Sequence, residues 1–253
     1  MAVMKKTLAV LQARTSSTRL PGKVLMEING RPMIYWQVKR ILNAAKLDKL
    51  IVATSSDSTD NELTRFLIKE GVSVYRGSLD NVLSRFLEVS AKHPHDALVR
   101  LTADCPLIMP DIIDAMVVKF YEIGVDYLSN TLEPTYPDGL DVEVVKPSAL
   151  AKLARFDLDK AEIEHVTLGI YNRPTEFTRE NFRGIKDLSQ NRWTVDYRDD
   201  LNFVRRVFRE FEGKESLFTL EDMIQLMEKY PDLSSATVVN PRNEWLSGSE
   251  MGQ

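Results

Sequence analysis

Short β-rich apolar runs alternate with longer amphipathic ones along the first half of the chain, and few folds accommodate that order. TLAVLQ (7–12), LIVAT (50–54), VSVY (72–75), ALVRLT (97–102) and VDYLS (125–129) read as strands. Between them lie helical patterns: MIYWQVKRILNAA (33–45) places Ile34, Val38, Ile41 and Leu42 on one face, and SSDSTDNELTRFLIKEG supplies N-cap residues and a closing Gly71. VLSRFLEVSA and DIIDAMVVKFYEIG complete the series. Strands separated by helices of about 12 to 15 residues require right-handed βαβ crossovers, so an α/β fold with a mostly parallel sheet is expected. Ligands of such sheets bind beyond the carboxyl ends of the strands.

The pattern changes after residue 130. NTLEPTYPDGLDVEVVKPSAL holds three prolines and a Pro-Asp-Gly turn signal, which predicts a small excursion from the sheet containing an extended, antiparallel piece. Helices are expected near 148–155 and 160–170, an extended stretch through 176–186, a short strand at WTV (193–195), and helices at about 199–211 and 219–229. One domain over residues 5–245, with its excursion at about 130–185, accounts for the whole pattern; residues 246–253 are expected to form a disordered tail.

Directly after the first strand comes QARTSSTRLPGK (12–23). Residues 1–26 hold five basic side chains and no acidic one, in a chain with a net charge of -4. An acidic chain is a poor general binder of nucleic acid, which rewards a basic surplus. The local excess therefore points to a smaller anion: hydroxyls and backbone N–H groups at a strand end can cradle phosphate oxygens while Arg14, Arg19 and Lys23 neutralise charge. A solvated basic loop is the plainer alternative. The common phosphate loops are missing, since Gly22-Lys23 is followed by Val24 and no G-x-G-x-x-G occurs. A lone cysteine, Cys105, and three histidines exclude an internal disulfide and a Cys-rich zinc site, and fit a cytoplasmic protein. No apolar run is long enough to span a bilayer, so no membrane partner is expected.

QARTSSTRLPGKVLMEINGRPMI, VATSSD and YRGSLDNVLSRF, followed in order by RLTADCPLI, SNTLEPTYPDGLDVEV, EHVT and RWTVDYRDDL, resemble the sugar cytidylyltransferases. The likeness is strongest to the spore-coat-polysaccharide-biosynthesis (SpsF) type and more distant to the CMP-Kdo and CMP-sialic acid synthetases, and it spans roughly residues 7–210. It implies a nucleotide-diphospho-sugar-transferase fold, GT-A-like and Rossmann-like, and an enzyme transferring CMP from CTP to a sugar, a nonulosonic sugar acid in the first instance, with release of pyrophosphate for polysaccharide synthesis. It also makes a homodimer through the excursion a plausible arrangement.

Attack on an α-phosphate needs cations around the phosphates and a divalent metal, Mg2+, on carboxylates. Asp104, just after ALVRLT, is one candidate; the resemblance matches Asp196, after WTV, to the other, and each alone would also suit a turn or helix cap. With Arg14 and Lys23 they make the catalytic set. For CTP the likeness adds Ala13, Ser17, Arg19, Thr54, Arg76, Gly77 and Arg85 to this loop; Arg85 could equally be a surface charge, and Thr54 part of a serine-rich helix start. Asp80 is a candidate cap for the helix that follows. For the acceptor, Asp141 and Glu143 leave the same face if DGLDVEV is a strand, and Asn130, Asp138 and His165 join them, against turn, strand-polarity and structural roles. Cys105 has no histidine neighbour to activate it and reads as core. Two other functions fit less well: a glycosyltransferase, whose usual metal-binding D-x-D is matched only by Asp157-Leu158-Asp159 between two helical runs, and a nucleotide-binding module without catalysis.

Overall fold

In the computed structural model, which describes residues 5–235, the five early apolar runs do form strands. In chain order the elements are β1 (Thr7–Gln12), β2 (Glu27–Ile28), β3 (Arg31–Pro32), α1 (Met33–Ile41), β4 (Lys49–Ser55), α2 (Asn61–Lys69), β5 (Ser73–Gly77), α3 (Val82–Lys92), β6 (Ala97–Thr102) and α4 (Pro110–Ile123). There follow β7 (Tyr127–Ser129), β8 (Glu143–Val145), α5 (Pro147–Leu153), α6 (Lys160–Glu164), α7 (Leu168–Tyr171), β9 (Arg179–Asn181), α8 (Arg198–Glu210), α9 (Leu220–Lys229) and α10 (Pro231–Ser235). The tail expected at 246–253 lies outside the described residues.

Seven strands form one sheet in the order β5-β4-β1-β6-β8-β7-β9, and β2 and β3 form a separate hairpin. Pairings among β1, β4, β5 and β6 are parallel; β8 is antiparallel to both β6 and β7, and β9 is parallel to β7, so β8 alone runs against the rest. The segment after residue 130 thus returns to the sheet as an antiparallel strand, as its Pro-Asp-Gly signal predicts.

Both faces of the sheet are covered, because successive side chains of a strand point to opposite sides. Ala9 and Leu11 of β1, with Val52, Val99, Leu101, Leu128 and Val144, pack into one apolar layer under α1, α4 and α8. Leu8, Val10, Ile51, Leu98, Tyr127 and Val145 join the other layer with α3, α5 and α7. Arg100 and Glu143 share the parity of this second layer, and the β6–β8 register sets them directly opposite one another. α4 carries both end signals legible in sequence, Pro110 in its first turn and a left-handed Gly124 at its end.

Three local expectations need correction. The helix foreseen over 160–170 is broken into α6 and α7, because the backbone turns left-handed at Val166 (φ 53), a conformation unusual for a β-branched residue. The N-cap of α3 is Asn81, whose side chain accepts from Ser84 N, and not Asp80. Residues 193–195 form no strand. Their bonds go instead to the Pro-Asp-Gly turn and to the end of β6: Trp193 N donates to Asp138 O (2.6 Å) and Val195 N to Asp104 O (2.8 Å).

That arrangement fixes Gly139, which has φ 107 and leaves so little room that a Cβ would come within 2.5 Å of Thr194 N. Gly139→Ala is expected to destabilise the protein by roughly 3 kcal/mol or more, since backbone strain and a backbone clash combine. Gly124→Ala, also at positive φ (68) but with nothing within 4 Å, should cost only about 1 kcal/mol. Urea unfolding of the two variants beside the parent checks the contrast.

Candidate active site

A cavity of about 540 Å3 opens at the carboxyl ends of β1 and β6, within the size range of small-ligand sites. Its lining runs from Val82 and Arg85 of α3, past the loop after β1, to Asp104 after β6, and on to Glu143, Tyr127, His165 and Thr167. Of the residues singled out in sequence, Ala13, Arg14, Ser17, Arg19, Lys23, Arg85, Asp104, Asp138, Asp141, Glu143, His165 and Asp196 all line it.

The loop is shaped by one buried carboxylate that sequence reasoning did not pick out. Asp60, at the end of a 3-10 turn over Ser58–Asp60, accepts from the backbone N–H of Thr15 (2.7 Å), from its hydroxyl (2.8 Å), and from the backbone and hydroxyl of Ser55. Burial opposes its charge, but the Ser55 and Thr15 donors prevail and hold its carboxyl below the ordinary aspartate value. Gly22 then turns left-handed (φ 72) and opens a single 3-10 turn, Lys23–Leu25, that sends the lysine inward. The only sequence signal for Asp60 was its place among several hydroxyl-rich cap residues.

Lys23 is the hub of the cavity. It is 8% exposed, and its Nζ donates to Val195 O (2.6 Å) and Asp196 Oδ1 (3.0 Å) and reaches Asp104 Oδ2 at 3.5 Å. Burial works against the ammonium, yet Asp104 and Asp196 raise its pKa above the usual lysine value. Asp196 also meets Arg19 (2.8 Å) and Arg192 (2.9 Å). Burial opposes its charge too, but Lys23 and Arg19 bring its pKa down to about 2. Arg192, another residue missed in sequence, bridges Asp138 (2.7 Å), Asp196 and Asp200. Asp104 is kept ionised by Lys23 against its own burial, and accepts from Thr102 Oγ1 (2.6 Å). Cys105 beside it is buried, and burial pushes its thiol well up, in line with a core role.

The far end is built on the sheet register. Glu143 takes the Arg100 guanidinium on one oxygen and the Tyr127 and Thr167 hydroxyls on the other, while Gln12 Oε1 accepts a second bond from Arg100 (3.1 Å). His165 stands at the break between α6 and α7; burial, followed by the nearby Arg100 charge, lowers its pKa and favours the neutral ring. Across the cavity, Arg14 pairs with Glu164 (2.9 Å).

Four expected contacts fall outside the lining. Asn130 is buried, donating to Leu140 O (2.8 Å) and accepting from Val142 N (2.9 Å), which clamps the chain ahead of β8. Arg76 caps backbone carbonyls of Ser55 (2.9 Å) and Asp57 (2.8 Å). Thr54 is fully buried in β4. Gly77 acts one layer back, against the side chain of Arg85. Arg85 itself is no surface charge, being 1% exposed. Asp157-Leu158-Asp159 also lies away from the cavity, and Asp159 is the N-cap of α6.

A seven-stranded α/β sheet with a basic loop and two aspartates at its carboxyl edge is the architecture of a nucleotidyltransferase fold. A family model described as cytidylyltransferase matches residues 8–234, so the chain belongs to the cytidylyltransferase family and is a CTP-dependent nucleotidyltransferase. It is 32% identical over 243 residues to the spore coat polysaccharide biosynthesis protein SpsF of Bacillus subtilis, covering 92% of this chain and 98% of that one. A 3-deoxy-manno-octulosonate cytidylyltransferase of Fusobacterium nucleatum is 37% identical over 119 residues, 46% of this chain and 47% of that one. Among solved structures, a cytidylyltransferase from Leptospira borgpetersenii superposes with a TM-score of 0.88 at 29% identity, covering 94% of this chain and 100% of that one. A CMP:2-keto-3-deoxy-manno-octonic acid synthetase complexed with CTP gives 0.62 at 20% identity over 81% of this chain and 99% of that one, a likeness of fold. Among the described residues no helix is long and apolar enough to cross a membrane.

The role of Asp60 has a pH signature. A carboxyl whose folded pKa is depressed contributes stability above its unfolded value, near 3.9, that is lost as pH falls through the lower folded value. Asp60→Asn should therefore cost on the order of 1–3 kcal/mol at pH 7, and the deficit should shrink below about pH 4. Urea unfolding of parent and variant between pH 2.5 and 7 measures it.

Proposed function

We propose that this enzyme transfers CMP from CTP to a sugar acid, releasing pyrophosphate. The observation that carries the reading is Lys23, held between Asp104 and Asp196 beneath a basic loop at the strand ends. The similarity to SpsF and to 3-deoxy-manno-octulosonate cytidylyltransferases supports a sugar, and in the latter case a sugar acid, as acceptor.

In this reading the loop after β1 receives the triphosphate, with Arg14, Arg19 and Lys23 offsetting its charge. Asp104 and Asp196 would hold Mg2+. The pair fits that ion: the two carboxylates converge on a single cationic group, the Lys23 ammonium, and two carboxylates plus phosphate oxygens and water are a usual magnesium ligand set. Among the described residues no group of three or more His, Cys, Asp or Glu could by itself hold a metal, so phosphate oxygens and water would have to complete the set. When bound, the ion offsets charge that builds on the phosphate oxygens. The acceptor hydroxyl gives up its proton to solvent and attacks the α-phosphorus, a new P–O bond forms, and the bond from the α-phosphorus to the bridging oxygen breaks, with that oxygen leaving on pyrophosphate. Arg192 keeps Asp196 oriented, and Thr102 does the same for Asp104. The polar end around Asp141, Glu143 and His165 takes the sugar hydroxyls.

Incubation with CTP, Mg2+ and a panel of nonulosonic acids, followed for pyrophosphate, tests the reaction. Asp104→Asn or Asp196→Asn should each remove most turnover, and the double change should cost little beyond the worse single, as for residues acting as a unit. Magnesium titrations of kcat/KM for CTP, with melting curves, check this; near-normal magnesium dependence in folded Asp104→Asn would remove the metal assignment. Asp141→Asn should raise the acceptor KM about 5- to 10-fold and leave the KM for CTP within about 2-fold, the split expected of a residue that meets only one substrate. Steady-state kinetics with each substrate varied in turn measures it.

A further inference from the structure

The Lys23 ammonium fills the space between the two carboxylates assigned above to Mg2+. An ammonium has three N–H groups, and this one has three acceptors: Val195 O at 2.6 Å, Asp196 Oδ1 at 3.0 Å and Asp104 Oδ2 at 3.5 Å. The other oxygen of each carboxylate is committed to a protein donor. Asp104 Oδ1 accepts from Thr102 Oγ1 at 2.6 Å, and Asp196 Oδ2 from Arg192 at 2.9 Å. Each aspartate therefore turns one oxygen toward the same cation, and those are the oxygens the pair has to offer a metal.

Ammonium and divalent ion cannot both lie against these two oxygens. Mg2+ binds oxygen at about 2.0–2.1 Å and sheds its water reluctantly, and a fixed positive charge a few ångströms away, shielded from water, repels it strongly. Asp196 is also met by Arg19 (2.8 Å) and Arg192, so its charge is compensated from three sides. Lysine suits a cation that has to leave, because its charge is a point at the end of a flexible four-carbon stem. Its backbone follows directly on Gly22, at the end of the basic loop, so the same stem can serve the carboxylates or a phosphate in that loop.

We infer that Lys23 is a place-holder for the metal: in the nucleotide-free enzyme its ammonium closes the Asp104–Asp196 pair to divalent ions, and it yields the pair when a triphosphate gives it other oxygens to meet. Thr102 and Arg192 keep both carboxylates oriented while the lysine turns away. Metal and nucleotide are then positively coupled, each favouring the other. The inference rests on the cytidylyl-transfer reading above and adds a condition on when the metal can bind.

Titration of the full chain with Mn2+ and no nucleotide, the free ion being read by electron paramagnetic resonance, tests this without turnover; Mn2+ takes the same oxygen ligands as Mg2+. The parent is expected to bind no more tightly than about 1 mM, the weak end of oxygen-ligand sites for divalent ions. Lys23→Met should tighten binding by about 30-fold or more, and adding Asp104→Asn to it should abolish the gain. Arg19→Met removes a cation from the same Asp196 oxygen but not from between the carboxylates, and the arginine is partly exposed, so it should tighten binding by no more than about 5-fold. Thermal melting confirms that each variant is folded. Parental binding tighter than about 1 mM and lost in Asp104→Asn overturns the inference, whatever the fate of the lysine variant. Equal gains in Lys23→Met and Arg19→Met, or no gain in folded Lys23→Met, overturn it as well. Calorimetric titration of the parent with CTP in Mn2+ separates the inference from the reading beneath it. If CTP binds while the nucleotide-free arms go against the prediction, the place-holder role alone falls; a parent that binds no CTP removes the cytidylyl-transfer reading and the inference with it.

Discussion

Lys23 joins three parts of the chain that are far apart in sequence: the loop after β1, the end of β6 and residues 195–196. Burying an ammonium is tolerable only when anions and acceptors surround it. Val195 O, Asp104 and Asp196 supply that shell, so the lysine fixes where the loop and the two carboxylates lie relative to one another. Asp60 and Arg192 extend the arrangement outward, one holding the loop to the end of β4 and the other holding Asp196 to α8 and the Pro-Asp-Gly turn.

The reversal of β8 matters for the opposite end. In the β6–β8 register Arg100 faces Glu143, and β7 brings Tyr127 to the same face as both. A polar cluster forms there because the sheet's alternation places these three side chains in a largely apolar layer, where each must find a partner. Thr167 completes the cluster from beyond the break at Val166, so the irregular backbone at that point serves to bring a hydroxyl and His165 to the cavity.

Local signals made much of this legible. The parallel sheet followed from strand and helix periods, and the place of the basic loop at the cavity from a charge excess at a strand end. The antiparallel return after residue 130 followed from Pro-Asp-Gly. Features fixed by distant contacts were not legible. WTV has the composition of a strand, but its N–H groups are claimed by Asp138 and Asp104, which no local pattern announces. Val166 carries no sign of a left-handed turn, because valine is a poor residue for one. Arg85 in a helix looks like any solvated arginine until the missing Cβ of Gly77 makes room for it. Asn130 and Arg76 are polar residues in promising motifs whose bonds are spent on backbone groups.

The three cations around Asp196 have a consequence for how a polyanion enters. Arg19, Lys23 and Arg192 are already balanced by carboxylates, so the cleft behaves as an ion exchanger. A triphosphate bound there as proposed would displace one set of counter-charges with another, and each cation that turned to phosphate would release a carboxylate. The free energy of association would then be a difference between two well-made sets of ion pairs, with the desolvation of Lys23 and Arg192 already met during folding. Ionic strength acts on both sets, so salt should weaken binding less steeply than the formal charge of the ligand implies.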